Sequence, residues 1–327
     1  MAHQNRMSFL IAFLTVSLVF SLCVTADAQK KIMSLATGGT GGVYFPLGGG
    51  MANVLSKYIP NLDVTAEVTA ASVDNLKLIH AKRVELALTM ADVAQEAWRG
   101  EGKFKPMGKV QGIRNIAVVY SNALHFVVLK GSGINSVSDL KGKRVSTGAP
   151  GSGTEVKAIR VLESYNVNAD KDIKRERLSF TEGGGALKDR QIDCATIESG
   201  LPNSVVLDLS ATPGISIKIL NNSEHIDMMI KKYGEFYHRM MIYKNTYPHM
   251  DSEVQVIGSA NQLICHESMD PQLVYNILKV LFEHKAELVA SHASAESLEL
   301  ASAVVGSAIP MHPGAIKYFK ERNIQVK

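Results

Sequence analysis

The fold of this chain is decided by a glycine-rich segment, residues 37–46, which reads TGGTGGVYFP. Leu47, Met51 and Leu55 then recur at the spacing of one helix face. Pro46 suits the first turn of such a helix. Glycines let the backbone approach a ligand closely and adopt positive φ, and the free amides at a helix start carry partial positive charge. The segment therefore predicts an anion-binding loop at the N-terminus of a helix.

A second glycine-rich segment, residues 148–154, reads GAPGSGT and opens another helical pattern. It adds the hydroxyl groups of Ser152 and Thr154 to the backbone amides. Either segment alone could be only a tight turn. Their occurrence in two similar parts of the chain favours a shared role at one ligand site.

A weak internal repeat connects the two loops. A predicted helix ends in a basic group at residues 81–83 and again at residues 188–190, and a short strand pattern follows each time. Asp92 lies just past the first of these strands, and Glu198 lies at the matching end of the second. Two similar lobes, each with a loop and a carboxylate at the carboxyl edge of a sheet, would face one another across a cleft.

Short apolar runs alternate with helical patterns along the rest of the chain, which predicts an α/β fold with largely parallel sheets. A long helix is expected from about Pro271 to Ser291. The runs that resemble strands cover residues 31–36, 64–68, 85–90, 116–120, 125–129, 144–147, 193–197, 215–220 and 254–265.

The first 28 residues have the order of a secretory signal peptide. Arg6 precedes an apolar stretch from Phe9 to Leu22, and Ala26-Asp27-Ala28 supplies a small-x-small cleavage site. An apolar stretch of roughly 14 residues is short for a membrane-spanning helix, so a permanent anchor is the weaker alternative. We expect cleavage after Ala28 and a periplasmic location.

Length and charge limit the possible functions. About 300 residues after cleavage exceed a comfortable single core and suggest two domains. The net charge of +4 is mild, and lysines and arginines occur in short groups without interleaved aromatic residues, so no nucleic-acid partner is expected. Cys194 and Cys265 fit buried thiols, although an exported protein could also bridge them. The histidines show no paired spacing, so neither a metal nor another cofactor is expected.

Enzyme motifs fail at specific residues. A phosphate-binding loop would need a lysine after Gly153, where Thr154 and Glu155 stand. A dinucleotide-binding loop would need a glycine in place of Tyr44. Ser152 lies between two glycines, but the sequence identifies no partnered histidine and aspartate for it. We therefore expect a binding protein and no enzymatic activity.

Five motifs in order give the chain a more specific resemblance: residues 37–44 (TGGTGGVY), 91–94 (ADVA), 139–145 (DLKGKRV), 150–154 (PGSGT) and 309–315 (IPMHPGA). Over essentially its whole mature length the chain resembles the TAXI family of receptors for tripartite (TRAP) transporters. The resemblance implies a type II periplasmic binding protein fold, in which two α/β lobes joined by hinge strands close around a small carboxylate such as glutamate or a dicarboxylate.

We divide the mature chain accordingly into lobe 1, residues 29–122 plus 267–327, and lobe 2, residues 123–266. The loop amides and hydroxyls would hold carboxylate oxygens, and Glu198 or Asp92 could accept an ammonium group if the ligand is an amino acid. The loop chemistry and the resemblance together place the following residues at the cleft: Thr40, Gly41, Gly42, Val43, Tyr44, Asp92, Ser152, Gly153, Thr154, Glu198 and Tyr243.

The partner transporter has two possible classes. The resemblance implies a monomer that delivers its small carboxylate ligand to TRAP membrane subunits. A receptor of an ABC transporter for a small organic anion would share the fold and the signal peptide. Only the motif set favours the TRAP class.

Overall fold

The computed structural model describes residues 30–326, so the predicted signal peptide, residues 1–28, lies outside the described residues. Residues 30–326 contain ten strands and ten α-helices. The strands are β1 (Lys31–Ala36), β2 (Leu62–Glu67), β3 (Leu86–Met90), β4 (Ile113–Leu129), β5 (Arg144–Ser146), β6 (Lys174–Glu176), β7 (Cys194–Ser199), β8 (Ile217–Ile219), β9 (Tyr237–Ile242) and β10 (Val254–His266).

The helices follow the strands in alternation over most of the chain. They are α1 (Tyr44–Tyr58), α2 (Ser72–His80), α3 (Ala91–Arg99), α4 (Gly153–Ser164), α5 (Phe180–Lys188), α6 (Ser204–Ala211), α7 (Ile226–Tyr233), α8 (Pro271–Glu283), α9 (Lys285–Ser291) and α10 (Pro313–Lys320). Four short 3-10 helices cover Gly102–Phe104, Val137–Leu140, Ala293–Ser297 and Ser302–Val304.

All ten strands belong to one mixed sheet, whose main path runs β2-β1-β3-β10-β4-β7-β5-β6. The pairs β1–β3, β5–β6 and β5–β7 are parallel. The pairings of β10 with β3, β4 and β9, and those of β4 with β7 and β8, are antiparallel. The α/β class is confirmed, but the expectation of largely parallel sheets is wrong at the centre, where two long strands run against their neighbours.

These two central strands correct the sequence prediction in detail. Residues 116–120 and 125–129 were expected as separate strands, but both lie in β4, which continues for 17 residues because Asn122 keeps its place in the ladder opposite Ser259. β10 pairs with β3 at one end and with β9 at the other. The predicted long C-terminal helix is also interrupted, since α8 ends before His284 and α9 starts after it.

The buried core divides between two parts of the chain. Two apolar clusters draw on residues 33–120 and 263–319, with Val156 as the exception, and we call this part the first half. Two others draw on residues 123–257, which we call the second half. β4 and β10 pass from one half to the other. The predicted two-lobed α/β organisation, with strands connecting the lobes, is confirmed.

Among residues 30–326, no helix combines the length and apolar character needed to cross a membrane. In the same residues, no group of three or more His, Cys, Asp or Glu side chains is arranged to hold a metal ion.

Candidate ligand-binding site

A cavity of about 290 Å³ lies between the two halves and is lined by both glycine-rich loops. Its size suits a small molecule. The predicted site residues that line it are Thr40, Gly41, Gly42, Val43, Tyr44, Ser152, Gly153, Thr154 and Glu198. Two of the predicted residues, Asp92 and Tyr243, are not part of this lining.

Five helices begin at this cavity. The lining includes Val43 and Tyr44 at the start of α1, Ala71 before α2, Met90 before α3, Ser152 and Gly153 at α4, and Ser179 and Phe180 at α5. The start of a helix carries partial positive charge. Some first-turn amides here already have acceptors within the protein, namely Val73 and Asp74 in α2, Glu155 in α4 and Glu182 in α5. The convergence of five helix starts favours an anion in the cavity.

The first loop, residues 37–46, leads into α1 without a side-chain cap. The first helical bond runs from the Leu47 amide to the Val43 carbonyl at 3.1 Å, so the preceding amides have no helical acceptor. The expectation of positive φ is wrong for this loop, because its glycines are absent from the left-handed region. Close approach explains one of them, Gly41. A Cβ at Gly41 would lie 2.6 Å from the Thr181 hydroxyl oxygen.

The second loop, residues 148–154, is built differently. Gly148 and Gly151 have φ of +101° and +82°, which favours glycine. The Ser152 hydroxyl donates to the Ala149 carbonyl at 2.7 Å and accepts from the Glu155 amide at 3.1 Å, as the N-cap of α4. Its hydrogen is therefore used within the loop. In this structure the backbone amides and the Thr154 hydroxyl of the loop remain for a ligand, and a ligand contact of the Ser152 hydroxyl stays a prediction.

Glu198 lines the cavity with an unusual partner behind it. The side chain of Lys157 is fully buried, and its Nζ contacts Glu198 Oε1 and the Ser259 hydroxyl. Glu198 Oε2 is buried without a hydrogen-bond partner, as are Asn122 Oδ1 and Ser199 Oγ on the same wall. Burial raises the pKa of the Glu198 carboxyl, and the charge of Lys157 acts in the opposite direction. Three buried oxygens of residues that line the cavity are therefore left without a hydrogen-bond donor.

Asp92 is buried behind the cavity and has partners of its own. Its Oδ2 accepts from Arg160 Nη1 at 3.1 Å and from the Tyr237 hydroxyl at 2.9 Å. Burial alone would raise the pKa of this carboxyl, but the charges of Lys157 and Arg160 outweigh burial and the pKa is lowered. Tyr243 is 64% exposed. The structure therefore brings neither Asp92 nor Tyr243 to the cavity.

Sequence reasoning missed several residues of the lining. Tyr120, Asn122 and Ser199 occur in or next to strands and carry no motif. The start of α5 had a signal, because Ser179 and Glu182 form a capping box that is visible as S-x-x-E in the sequence. Reading that box as a helix start would have added a third loop to the two glycine-rich ones.

Three further residues are buried in the structure. His312, in the last of the five motifs, caps α10 by accepting the Gly314 amide at 3.2 Å. Cys194 and Cys265 are both buried and free.

The fold and the site together define a two-lobed α/β protein with a cavity of ligand size between its lobes. The chain belongs to the NMT1-like family, whose model matches residues 35–322. A solved structure from Bordetella bronchiseptica RB50 shares the fold, with a TM-score of 0.51, 16% identity, and a match over 90% of this chain and 90% of that chain.

Two sulfonate-binding proteins are further structural neighbours. The alkanesulfonate-binding protein SsuA from Xanthomonas axonopodis pv. citri, bound to MOPS, has a TM-score of 0.49 at 15% identity over 90% of this chain and 92% of that chain. The periplasmic aliphatic sulphonate binding protein SsuA from Escherichia coli has a TM-score of 0.46 at 14% identity over 89% of this chain and 83% of that chain.

Proposed function

We propose that the protein is a periplasmic solute receptor that binds a small carboxylate between its lobes and releases it unchanged to a membrane transporter. The observation that carries this proposal is the cavity at which five helices begin. Helix starts from both halves can bind the oxygens of one carboxylate together, each charge-assisted hydrogen bond contributing about 1.5 to 3 kcal/mol. Closure of the lobes would then depend on the ligand.

Three buried acceptors near the cavity support an amino acid such as glutamate over a dicarboxylate that has no ammonium group. Glu198 Oε2, Asn122 Oδ1 and Ser199 Oγ are buried oxygens without partners. An ammonium group has three donors and no acceptor, so it complements such oxygens. A carboxylate beside these oxygens would instead be repelled by the Glu198 carboxylate. We therefore propose glutamate or a related amino acid as the ligand.

The lobe boundaries and the transporter class are parts of the same proposal. We keep lobe 1 at residues 29–122 plus 267–327 and lobe 2 at residues 123–266 as the proposed division. The buried clusters support its boundary after residue 122, whereas Leu263, Ile264 and Cys265 of the proposed lobe 2 pack with lobe 1. The five-motif resemblance supports a TRAP transporter as the partner. An ABC transporter receptor remains the second candidate, because the fold and cavity suit it equally. Uptake that requires ATP hydrolysis by the membrane partner would favour the second candidate.

A matched ligand pair tests the proposed function. L-glutamate carries an ammonium group where 2-oxoglutarate has a keto oxygen, and the two share both carboxylates, so a thermal-shift titration of residues 29–327 tests the contribution of the ammonium group. At a hundredfold excess over Kd, binding stabilises the protein by about 2.7 kcal/mol. We expect a shift with L-glutamate that exceeds the shift with 2-oxoglutarate, and full recovery of unchanged L-glutamate after denaturation.

The Glu198→Gln variant sharpens this test. Loss of the charge should weaken L-glutamate binding by about tenfold or more and leave 2-oxoglutarate binding unchanged or tighter. Glu163→Gln is the matched control, because Glu163 pairs with Lys232 on the surface of the same half. If neither ligand shifts wild-type protein that has been refolded to remove retained solute, the proposed ligand class is wrong.

A further inference from the structure

Each glycine loop has one carbonyl bound by the opposite half. In the first loop, the Gly41 carbonyl accepts from Asn203 Nδ2 of the second half at 2.9 Å. In the second loop, the Gly151 carbonyl accepts from the amides of Val73 and Asp74 of the first half at 3.1 and 3.3 Å. The two contacts are reciprocal, since each half supplies one loop and one helix start.

Each loop also has a glycine that packs closely against the opposite half. A Cβ at Gly153 would lie 2.6 Å from Met90 Sδ and 2.9 Å from the Ser72 hydroxyl, both in the first half. A Cβ at Gly41 would meet Thr181 of the second half in the same way. A side chain at either position would therefore displace side chains of the opposite half.

Asn203 is fixed in place by bonds within its own half. It is the N-cap of α6, and its Oδ1 accepts from the amides of Val205 and Val206 at 3.0 and 3.2 Å. The side-chain NH₂ is consequently directed away from α6. The cap uses the acceptor Oδ1. Nδ2, the only donor atom of the side chain, donates to the Gly41 carbonyl.

A buried pair supports Asn203 from behind. The backbone amide of Asn203 donates to the Tyr247 hydroxyl at 3.1 Å, and this hydroxyl lies 2.9 Å from His125 Nε2. His125 Nδ1 lies 3.0 Å from the Ile197 carbonyl, which can only accept, so Nδ1 carries the hydrogen and Nε2 accepts from Tyr247. Burial lowers the pKa of His125 to about 4, consistent with a neutral ring. The whole chain of bonds lies within the second half.

We propose that the two reciprocal contacts form a single closing clasp, in which Asn203 is the positioning residue and the bonds from Val73 and Asp74 to Gly151 open with it. The clasp rests on the proposed function only in that the two halves move apart. It does not depend on which ligand binds. The amides of Val73 and Asp74 lie in the first turn of α2, where amides have no acceptor within the helix, and they donate to the Gly151 carbonyl instead. Separation of the halves would therefore expose these two amides to solvent.

Hydrogen–deuterium exchange of ligand-free protein, residues 29–327, tests the clasp. Asn203→Ser shortens the side chain but keeps an oxygen that can cap α6, and Asn203→Asp keeps the length and the cap while removing the donor. In both variants we expect the exchange rate of the Val73 and Asp74 amides to rise by about fivefold, because loss of the hydrogen bond from Asn203 to Gly41 favours opening by about that factor. The exchange rates of the Val205 and Val206 amides should be unchanged.

The control and the contrary outcomes are equally specific. Asn168→Ser alters another turn of the second half, where Asn168 Oδ1 accepts from the amides of Asp170 and Lys171, and it should leave exchange at Val73 at the wild-type rate. Unchanged exchange at Val73 and Asp74 in both Asn203 variants would overturn the clasp. A rise that occurs only together with exchange at Val205 and Val206 would also overturn it, because α6 itself would then be unfolding.

Discussion

The two glycine loops open onto the same cavity but start very different helices. The first loop leads into α1, which has no side-chain cap, no acidic residue in its first turn, and an apolar buried face that includes Leu47, Met51 and Leu55. The second loop is capped by Ser152 and leads into α4, whose buried residues include charged side chains. Similar sequence motifs thus serve two physical tasks.

The difference assigns the tasks. The first loop leads into an uncapped helix start, where the amides of Val43 and Tyr44 have no helical acceptor, so it is the part of the site best able to bind an anion. In the second loop the Ser152 hydroxyl caps α4, and α4 carries Lys157, whose ammonium group contacts the Glu198 carboxylate. We conclude that affinity for the carboxylate should depend more on the first loop than on the second, and that stability and the position of Glu198 should depend on α4.

The largest effect is expected from Lys157→Met. The substitution leaves Glu198 buried without its cation, which should lower the free energy of unfolding by about 3 to 5 kcal/mol in urea denaturation. On α1, the volume-conserving change Met51→Leu should cost less than about 1.5 kcal/mol. The double variant Lys157→Met with Glu198→Gln should recover part of the loss. Equal losses on α1 and α4 would remove the distinction between the two helices.

A smaller effect is expected from Gly41→Ala. The new Cβ would lie 2.6 Å from the Thr181 hydroxyl oxygen and 3.0 Å from Val205 Cγ2, and both atoms belong to the second half. We expect L-glutamate binding to weaken by about ten- to hundredfold in calorimetric titrations, since overpacking costs about 1 to 3 kcal/mol. Gly39→Ala is the control within the same loop, because no atom lies within 4 Å of a Cβ there. Equal affinities for the two variants would contradict the close approach.

The sequence predicted the residues of the site that have local signals better than those whose partners are distant in the chain. Both glycine loops and Glu198 were found, because loops before helices and strand ends have local signals. Asp92 occupies a similar place in the repeat, yet Arg160, nearly seventy residues away, pairs with it behind the cavity. No local pattern shows that pairing. Asn203 was missed for the same reason, since its partner Gly41 is 162 residues away.

The central strands were misread for a related reason. Asn122 interrupts the apolar run of β4 and looks like a break between two strands. In the structure it pairs with Ser259 in the ladder, and its Nδ2 donates to Asn261 Oδ1 at 3.1 Å. A polar residue inside a buried strand is acceptable when its donor is satisfied by a neighbouring strand. That satisfaction depends on the register with β10, which is set by tertiary structure.

The smallest effect is expected from Ser152→Ala, and it separates capping from binding at the second loop. Loss of the N-cap should lower the free energy of unfolding by about 1 kcal/mol, whereas the Kd for L-glutamate should stay within about twofold of wild type. Thr154→Val is the matched variant, because its side chain lines the cavity and has the same shape without the hydroxyl. It should leave unfolding nearly unchanged and weaken binding by about fivefold. A tenfold loss of affinity in Ser152→Ala without loss of stability would mean that the Ser152 hydroxyl leaves Ala149 to contact the ligand, and the two loops would then bind the carboxylate in the same way.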